Sequence, residues 1–253
     1  MLLHCLGTAG YHPNEQRQTS CYFIPSEGIV LDAGTGFFRL RELVETPTLD
    51  ILLSHAHLDH IAGLTFILDV LYDKSVEKIR IWGEQKKLDA IREHLFSSLI
   101  FPVELTAQWC PIDEQAAISI GSCEVTWRPQ PHPGSSVGYR LEWSDGPTLV
   151  YLTDTTGQTD AKADAFNASA DLMLHECYFP DTLQELARKT GHTHCGRLAK
   201  IARAANPKHL LLTHVNPIDP NPEALLDDVA RNLIDTDIEV TLAEDRMSID
   251  FGR

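Results

Sequence analysis

Three imidazoles and one carboxylate fall within six consecutive positions in the run Ser54-His55-Ala56-His57-Leu58-Asp59-His60. Ahead of it stands Asp50-Ile51-Leu52-Leu53, a short apolar stretch that reads as a buried strand, and behind it residues 61–68 read as the start of a helix. A strand-to-helix turn lets His55 and His57 point one way while Asp59 and His60 point another. Imidazole nitrogen and carboxylate oxygen suit zinc, manganese or iron, and the lack of cysteine in the run argues against a closed structural zinc site.

Three more residues of the same chemistry stand near strand-like segments. His132 lies in the loop Gln130-Pro131-His132-Pro133-Gly134, ahead of a strand over residues 137–142. Asp154 directly follows the apolar run 148–153, and His214 follows Leu210-Leu211-Leu212-Thr213. Asp154 and His214 therefore sit just past the carboxyl ends of strands, where open α/β sheets place their sites.

The chain of 253 residues is long enough for one large α/β domain, or at most two small ones, and it reads as one domain over residues 1–253. Strands are expected at residues 1–6, 20–24, 29–32, 79–82, 172–174, 210–213 and 238–242, with a strand-rich stretch over 117–152. Helices are expected at 61–72, 86–99, 193–205 and 222–233. In the second of these Leu88, Ile91, Leu95 and Leu99 form an apolar stripe, and Pro102 stops the pattern. The loop Asp32-Ala33-Gly34-Thr35-Gly36 lacks dinucleotide spacing and a phosphate-binding lysine, so its glycines read as tight turns near a site. Strands followed by helices, twice over, suggest two β-rich sheets between helical layers.

A formal net charge of −15 argues against a broad grip on a phosphate backbone, though not against a small phosphorylated substrate once metal ions supply positive charge. Six scattered cysteines with no C-x-x-C pair read as reduced thiols, which points to the cytoplasm. The N-terminus reads as a strand rather than a signal sequence, and no stretch is long enough to cross a bilayer.

The motif His55-x-His57-x-Asp59-His60, followed in order by His132, Asp154 and His214, resembles the metallo-β-lactamase superfamily over nearly the whole chain. The resemblance implies an αββα sandwich of two mixed β-sheets flanked by helices, with two divalent metal ions, zinc first and manganese or iron next. By that pattern His55, His57 and His132 bind one ion, Asp59, His60 and His214 the other, and Asp154 bridges them.

Within the superfamily the chain looks most like the ribonuclease Z and small phosphodiesterase branch. Leu6-Gly7-Thr8-Ala9-Gly10, Tyr139-Arg140, Leu174-His175-Glu176 and Gly191-His192-Thr193 are each similar to segments of that branch. The resemblance gives His192 a part in phosphodiester cleavage. Asp59 and His192 are the expected catalytic residues. His175 and Glu176 are expected to support the ligands by hydrogen bonds. The implied reaction is in-line attack on phosphorus by a metal-bridging hydroxide, with His192 protonating the leaving oxygen.

Ribonuclease Z enzymes that hold tRNA with an inserted arm carry it between the third His and the bridging Asp, but here His132 and Asp154 are joined by what reads as one hairpin. Asn216-Pro217-Ile218 follows His214 where that branch tends to have Ser and Arg. With the acidic balance, these departures lead to the expectation of a small-molecule phosphodiester as partner, no extended nucleic-acid binding, no membrane and a homodimer. The alternatives are a tRNA 3′-processing endonuclease and a thioester, lactone or sulfate ester hydrolase on the same fold. A non-catalytic metal-binding or ligand-sensing protein is the reading from another class, and the complete ligand set argues against it.

Overall fold

The computed structural model describes residues 1–252. Its strands are β1 (Leu2–Gly7), β2 (Cys21–Ile24), β3 (Ile29–Leu31), β4 (Thr48–Leu52), β5 (Lys78–Gly83), β6 (Gln108–Pro111), β7 (Ile118–Ile120), β8 (Cys123–Gln130), β9 (Ser136–Trp143), β10 (Thr148–Leu152), β11 (Leu172–Glu176), β12 (His209–Thr213), β13 (Glu239–Leu242) and β14 (Ser248–Asp250). They form two seven-stranded sheets, ordered β14-β1-β2-β3-β4-β5-β6 and β13-β12-β11-β10-β9-β8-β7. Both are mixed: β3 to β6 run parallel beyond an antiparallel β14-β1-β2-β3 half, and β10 to β13 run parallel beyond antiparallel β8-β9-β10.

Two compact units divide the chain, Met1–Ser122 with Glu244–Asp250, and Cys123–Ala243 with the residues from Phe251 on. In the first, Phe23, Leu40, Ile51, Ile81 and Leu88 belong to one buried core. In the second, Val150, Met173, Leu198, Leu210 and Val229 do. Strands β2, β3 and β11 are buried along their whole length, which is why they read as unbroken apolar runs rather than alternating ones. The helix Cys195–Ala205 shows the other periodicity, burying Leu198, Ile201, Ala202 and Ala205, and it ends where Asn206 turns left-handed at φ +49°. Among the described residues, no helix is long and apolar enough to cross a membrane.

Left-handed residues stand at the carboxyl ends of parallel strands. Asp32 follows β3 at φ +56°, Asp154 follows β10 at φ +49°, and His214 follows β12 at φ +52°. Asp and His tolerate this backbone better than most side chains, and the sharp turn aims a polar group across the end of the sheet.

Two expected helices differ. The helix expected over 61–72 begins earlier, with a helical turn at Leu58–Ile61, a 3₁₀ segment at Ala62–Phe66 and a second turn at Ile67–Val70. Gly63 explains the break: its N–H donates to the Ala33 carbonyl at 2.8 Å, and a Cβ there would lie 2.2 Å from the Gly34 carbonyl oxygen. The helix expected over 86–99 is Gln85–Ala90 followed by a π turn at Ile91–Leu95. The wider turn ends the stripe, so Leu88 and Ile91 are buried whereas Leu99 is 98 % exposed. The sequence reading also missed β6, β14, the 3₁₀ segment Thr35–Glu42, and the helices Ala161–Asn167 and Gln184–Thr190.

Candidate metal centre

In the first unit the chain leaves β4 and enters the helical turn at Leu58 with His57 as its cap residue, φ −70° and ψ 150°. His55 and His60 are buried, and His57 is exposed. The ring of His55 lies 4.4 Å from that of His57 and 4.3 Å from that of His60, centroid to centroid. Asp59 Oδ2 stands 3.2 Å from His60 Nε2 and accepts a 2.7 Å hydrogen bond from the Tyr11 N–H.

A buried carboxylate orients this cluster. Asp32 Oδ2 accepts from His60 Nδ1 at 2.7 Å and from Ser54 Oγ at 2.8 Å, while its Oδ1 accepts from the Ser54 N–H at 2.7 Å. The Ser54 hydroxyl has one proton, and Asp32 takes it. His55 Nδ1, 3.0 Å from Ser54 Oγ, is therefore the donor of that pair. Both His55 and His60 thus carry their proton on Nδ1 and present Nε2 as the basic nitrogen, the tautomer a metal ion requires.

The second unit holds a matching cluster. His132 Nδ1 donates to the Gly191 carbonyl at 2.9 Å, and its Nε2 lies 3.3 Å from Asp154 Oδ1. The approach depends on glycine: Gly191 has φ +86°, and a Cβ there would lie 2.2 Å from Pro133 Cδ and 2.9 Å from His132 Nδ1. His214 Nε2 lies 3.2 Å from Asp154 Oδ2, which also accepts from Thr153 Oγ1 at 2.8 Å. Burial pushes the His132 imidazole below its usual value, against the pull of Asp154, and so favours the neutral ligand form. Ligand atoms of Asp154, His192 and His214 all lie within 4.8 Å of one another.

His192 is held from two sides. Its Nδ1 stands 3.3 and 3.2 Å from the two oxygens of Glu176, and its ring stacks on Tyr178 with centroids 4.4 Å apart and planes 13° apart. Glu176, fully buried, also accepts from the N–H groups of Thr155 at 2.6 Å and Thr193 at 3.1 Å. It therefore meets His192 rather than one of the seven expected ligands. His175 turns away: Nδ1 donates to the Glu176 carbonyl at 2.8 Å, and the buried Nε2 has no hydrogen-bond partner among the described residues. Burial lowers its pKa, so it stays neutral. His194 contributes to a helix start, with Nδ1 and the Gly196 N–H both on Asp181 Oδ1.

The donor sets suit a divalent cation. They are nitrogen and oxygen only, three imidazoles have their Nδ1 committed to hydrogen bonds (Ser54, Asp32, Gly191), and a carboxylate lies beside Nε2 atoms in each unit. Sequence reasoning had missed Asp32, Ser54 and Tyr178. Only Asp32 left a signal, an acidic residue directly after a buried strand and ahead of two glycines.

Residues 28–215 match the beta-lactamase superfamily domain. A ribonuclease Z of Gemmatimonas aurantiaca is 23 % identical over 307 residues, covering 97 % of this chain and 98 % of the relative. Among solved structures, a metallo-β-lactamase fold protein from Bacillus subtilis superposes with a TM-score of 0.80 at 20 % identity, covering 98 % of each chain. The short form of human tRNase Z does so with 0.77 at 22 %, covering all of both. The fold is the expected metallo-β-lactamase fold, with two mixed seven-stranded sheets and flanking helices.

One expectation falls. Net charge and the missing arm had spoken against nucleic-acid binding, yet proteins named ribonuclease Z and tRNase Z match nearly the whole chain. The hairpin itself is as expected, with β9 and β10 joined by residues 144–147. The inference from charge fails because net charge averages the whole surface, whereas a scissile phosphate is gripped locally, by bound cations and the residues around them.

Proposed function

The chain belongs to the metallo-β-lactamase superfamily and is a metal-dependent hydrolase, and we propose that the bond it cleaves is a phosphodiester, with RNA within its substrate range. His55, His57 and His132 would hold one ion, Asp59, His60 and His214 a second, and Asp154 both, with zinc the first choice. Divalent ions, when bound, supply Lewis-acid stabilisation of charge on phosphoryl oxygens and a source of hydroxide at neutral pH.

The observation that carries the reading is the pairing of His192 with Glu176 at 3.2 Å beside Asp154 and His214. A hydrolase that only needed ligands would have no use for an extra imidazole so constrained. Glu176 holds the proton on Nδ1 and the Tyr178 ring limits rotation, so Nε2 is the nitrogen presented toward the cluster. Protonated there, His192 delivers a proton to the departing alkoxide oxygen, the step that limits cleavage of a poor leaving group. Asp32, Ser54 and the Gly191 carbonyl keep three ligand imidazoles in the metal-binding tautomer without touching substrate.

The test is a panel assay of protein loaded with zinc or manganese on bis-p-nitrophenyl phosphate, a cyclic nucleotide, a tRNA precursor and a thioester. Metal-dependent cleavage of at least one phosphodiester is expected. Efficient thioester hydrolysis with all phosphodiesters intact would overturn the reading.

A further inference from the structure

The segment between β1 and β2 holds a strained residue that the ligand set does not use. Tyr11 is the centre of a three-residue turn: the His12 N–H donates to the Gly10 carbonyl at 2.7 Å, and Tyr11 has φ +61°. A three-residue turn with positive φ at its centre is rare and strained, and for a large aromatic side chain it is an outlier. A glycine stands one position earlier, so the sequence offers an unstrained residue next door but places the ring here.

The surroundings enforce this conformation. Thr8 and Ala9 N–H groups both donate to the Gln18 carbonyl, at 2.8 and 2.9 Å. Asn14 Oδ1 accepts from the Gln16 and Arg17 N–H groups at 2.9 and 2.8 Å, and the buried Arg17 guanidinium donates to Thr8 Oγ1 at 2.7 Å. The turn has two results. The Tyr11 N–H reaches Asp59 Oδ2 at 2.7 Å, and the Tyr11 ring stands in solvent, 76 % exposed, with the His12 ring 5.5 Å away at 62°. The residue that carries this exposed ring is thus anchored through its backbone N–H to the carboxylate of the His/Asp turn.

Strain held by an over-determined loop at a site is a mark of function, and an exposed tyrosine offers a large stacking face with only two side-chain torsions to order. We infer that Tyr11 is a substrate-stacking residue, packing its ring on a nucleobase attached to the scissile phosphodiester. The inference rests on the phosphodiesterase reading and adds a selectivity to it: diesters that carry a base are favoured through KM over those that do not.

Two substrates with the same leaving group isolate this effect, thymidine 5′-p-nitrophenyl phosphate and methyl p-nitrophenyl phosphate, assayed with the metal-loaded full chain. Tyr11→Ala and Tyr11→Gly should raise KM for the nucleoside ester about tenfold, within the range measured for base–aromatic stacking, with kcat changed less than about twofold. Neither should alter KM for the methyl ester, and Tyr11→Phe and Tyr11→Trp should keep both. The glycine variant separates stacking from a purely conformational role, since glycine accepts φ +61° without strain and preserves the N–H to Asp59. Wild-type KM in the glycine variant, or equal losses on both esters, would overturn the inference. Failure of the wild type to cleave either ester would overturn the diesterase reading, and this inference with it.

Discussion

Replacing Asp32 by Asn tests how the first cluster is built. Asp32 is fully buried and accepts three hydrogen bonds, from the Ser54 N–H, the Ser54 hydroxyl and His60 Nδ1, at 2.7, 2.8 and 2.7 Å. Asn has nearly the same volume and tolerates φ +56°, so backbone and packing are not perturbed. Its amide nitrogen, placed at the Oδ2 position, faces two donors; placed at Oδ1, it faces the Ser54 N–H. Either way at least one charge-assisted hydrogen bond is lost in the interior, about 1.5–3 kcal/mol. For a chain of this size that lowers the melting temperature of the metal-free protein by about 5 °C. The relief open to the site is for His60 to move its proton to Nε2, which removes that nitrogen as a ligand. Zinc affinity should then fall roughly 10- to 100-fold, as for other lost partners of ligating histidines. Chelator-competition titration gives the affinity, and calorimetry of the metal-free protein gives the stability. Wild-type zinc affinity in the variant would refute the argument that Asp32 sets the His60 tautomer.

Three further outcomes are expected. Gly191→Ala places a Cβ 2.2 Å from Pro133 Cδ at φ +86°, so it should destabilise the chain by more than about 1 kcal/mol in denaturant titration and weaken metal binding through His132. Burial of the Asp171 carboxyl would raise its pKa, but the Lys208 ammonium at 2.7 Å and the Thr148 N–H at 2.8 Å hold it below the usual range. A depressed folded pKa stabilises above the unfolded value and is lost as pH falls, so the stability gap between wild type and Asp171→Asn should shrink between neutral pH and about pH 3. Burial pushes the Cys5 thiol up to about 12 and raises Cys21 and Cys177 as well, whereas Cys110 is partly exposed. Thiol labelling of the native protein at mild pH should therefore modify about one cysteine per chain, at position 110, with the rest reacting only after unfolding.

What was legible in the sequence follows from where polar residues interrupt apolar runs. Strands β3, β4, β10, β11 and β12 are buried, so their apolar runs stand out, and a His or Asp at the end of such a run is conspicuous. Hydrogen bonds between distant segments left no such mark. Asp32 lies 28 positions from His60, and nothing local pairs them. Tyr178 reads as one more apolar residue, although its ring carries His192. The short helix Ala161–Asn167 did have a local signal, since Asp160 caps it through the Lys162 and Ala163 N–H groups, but seven residues give too little periodicity to register. The helix expected over 86–99 ends early because a stripe at helical spacing says nothing of the π turn at Ile91–Leu95. The expectation against extended nucleic-acid binding failed for a different reason, in that a whole-chain charge was asked to answer a local question.

The most direct measurement is the turnover of zinc-loaded His192→Ala on a phosphodiester with an alkoxide leaving group, with metal content determined on the same sample. If His192, held by Glu176 beside Asp154 and His214, protonates the departing oxygen, turnover falls roughly 10²- to 10⁴-fold while bound metal is unchanged, and the loss shrinks on a nitrophenyl ester that needs no proton. Unchanged turnover on the alkoxide ester at full metal content would contradict the account.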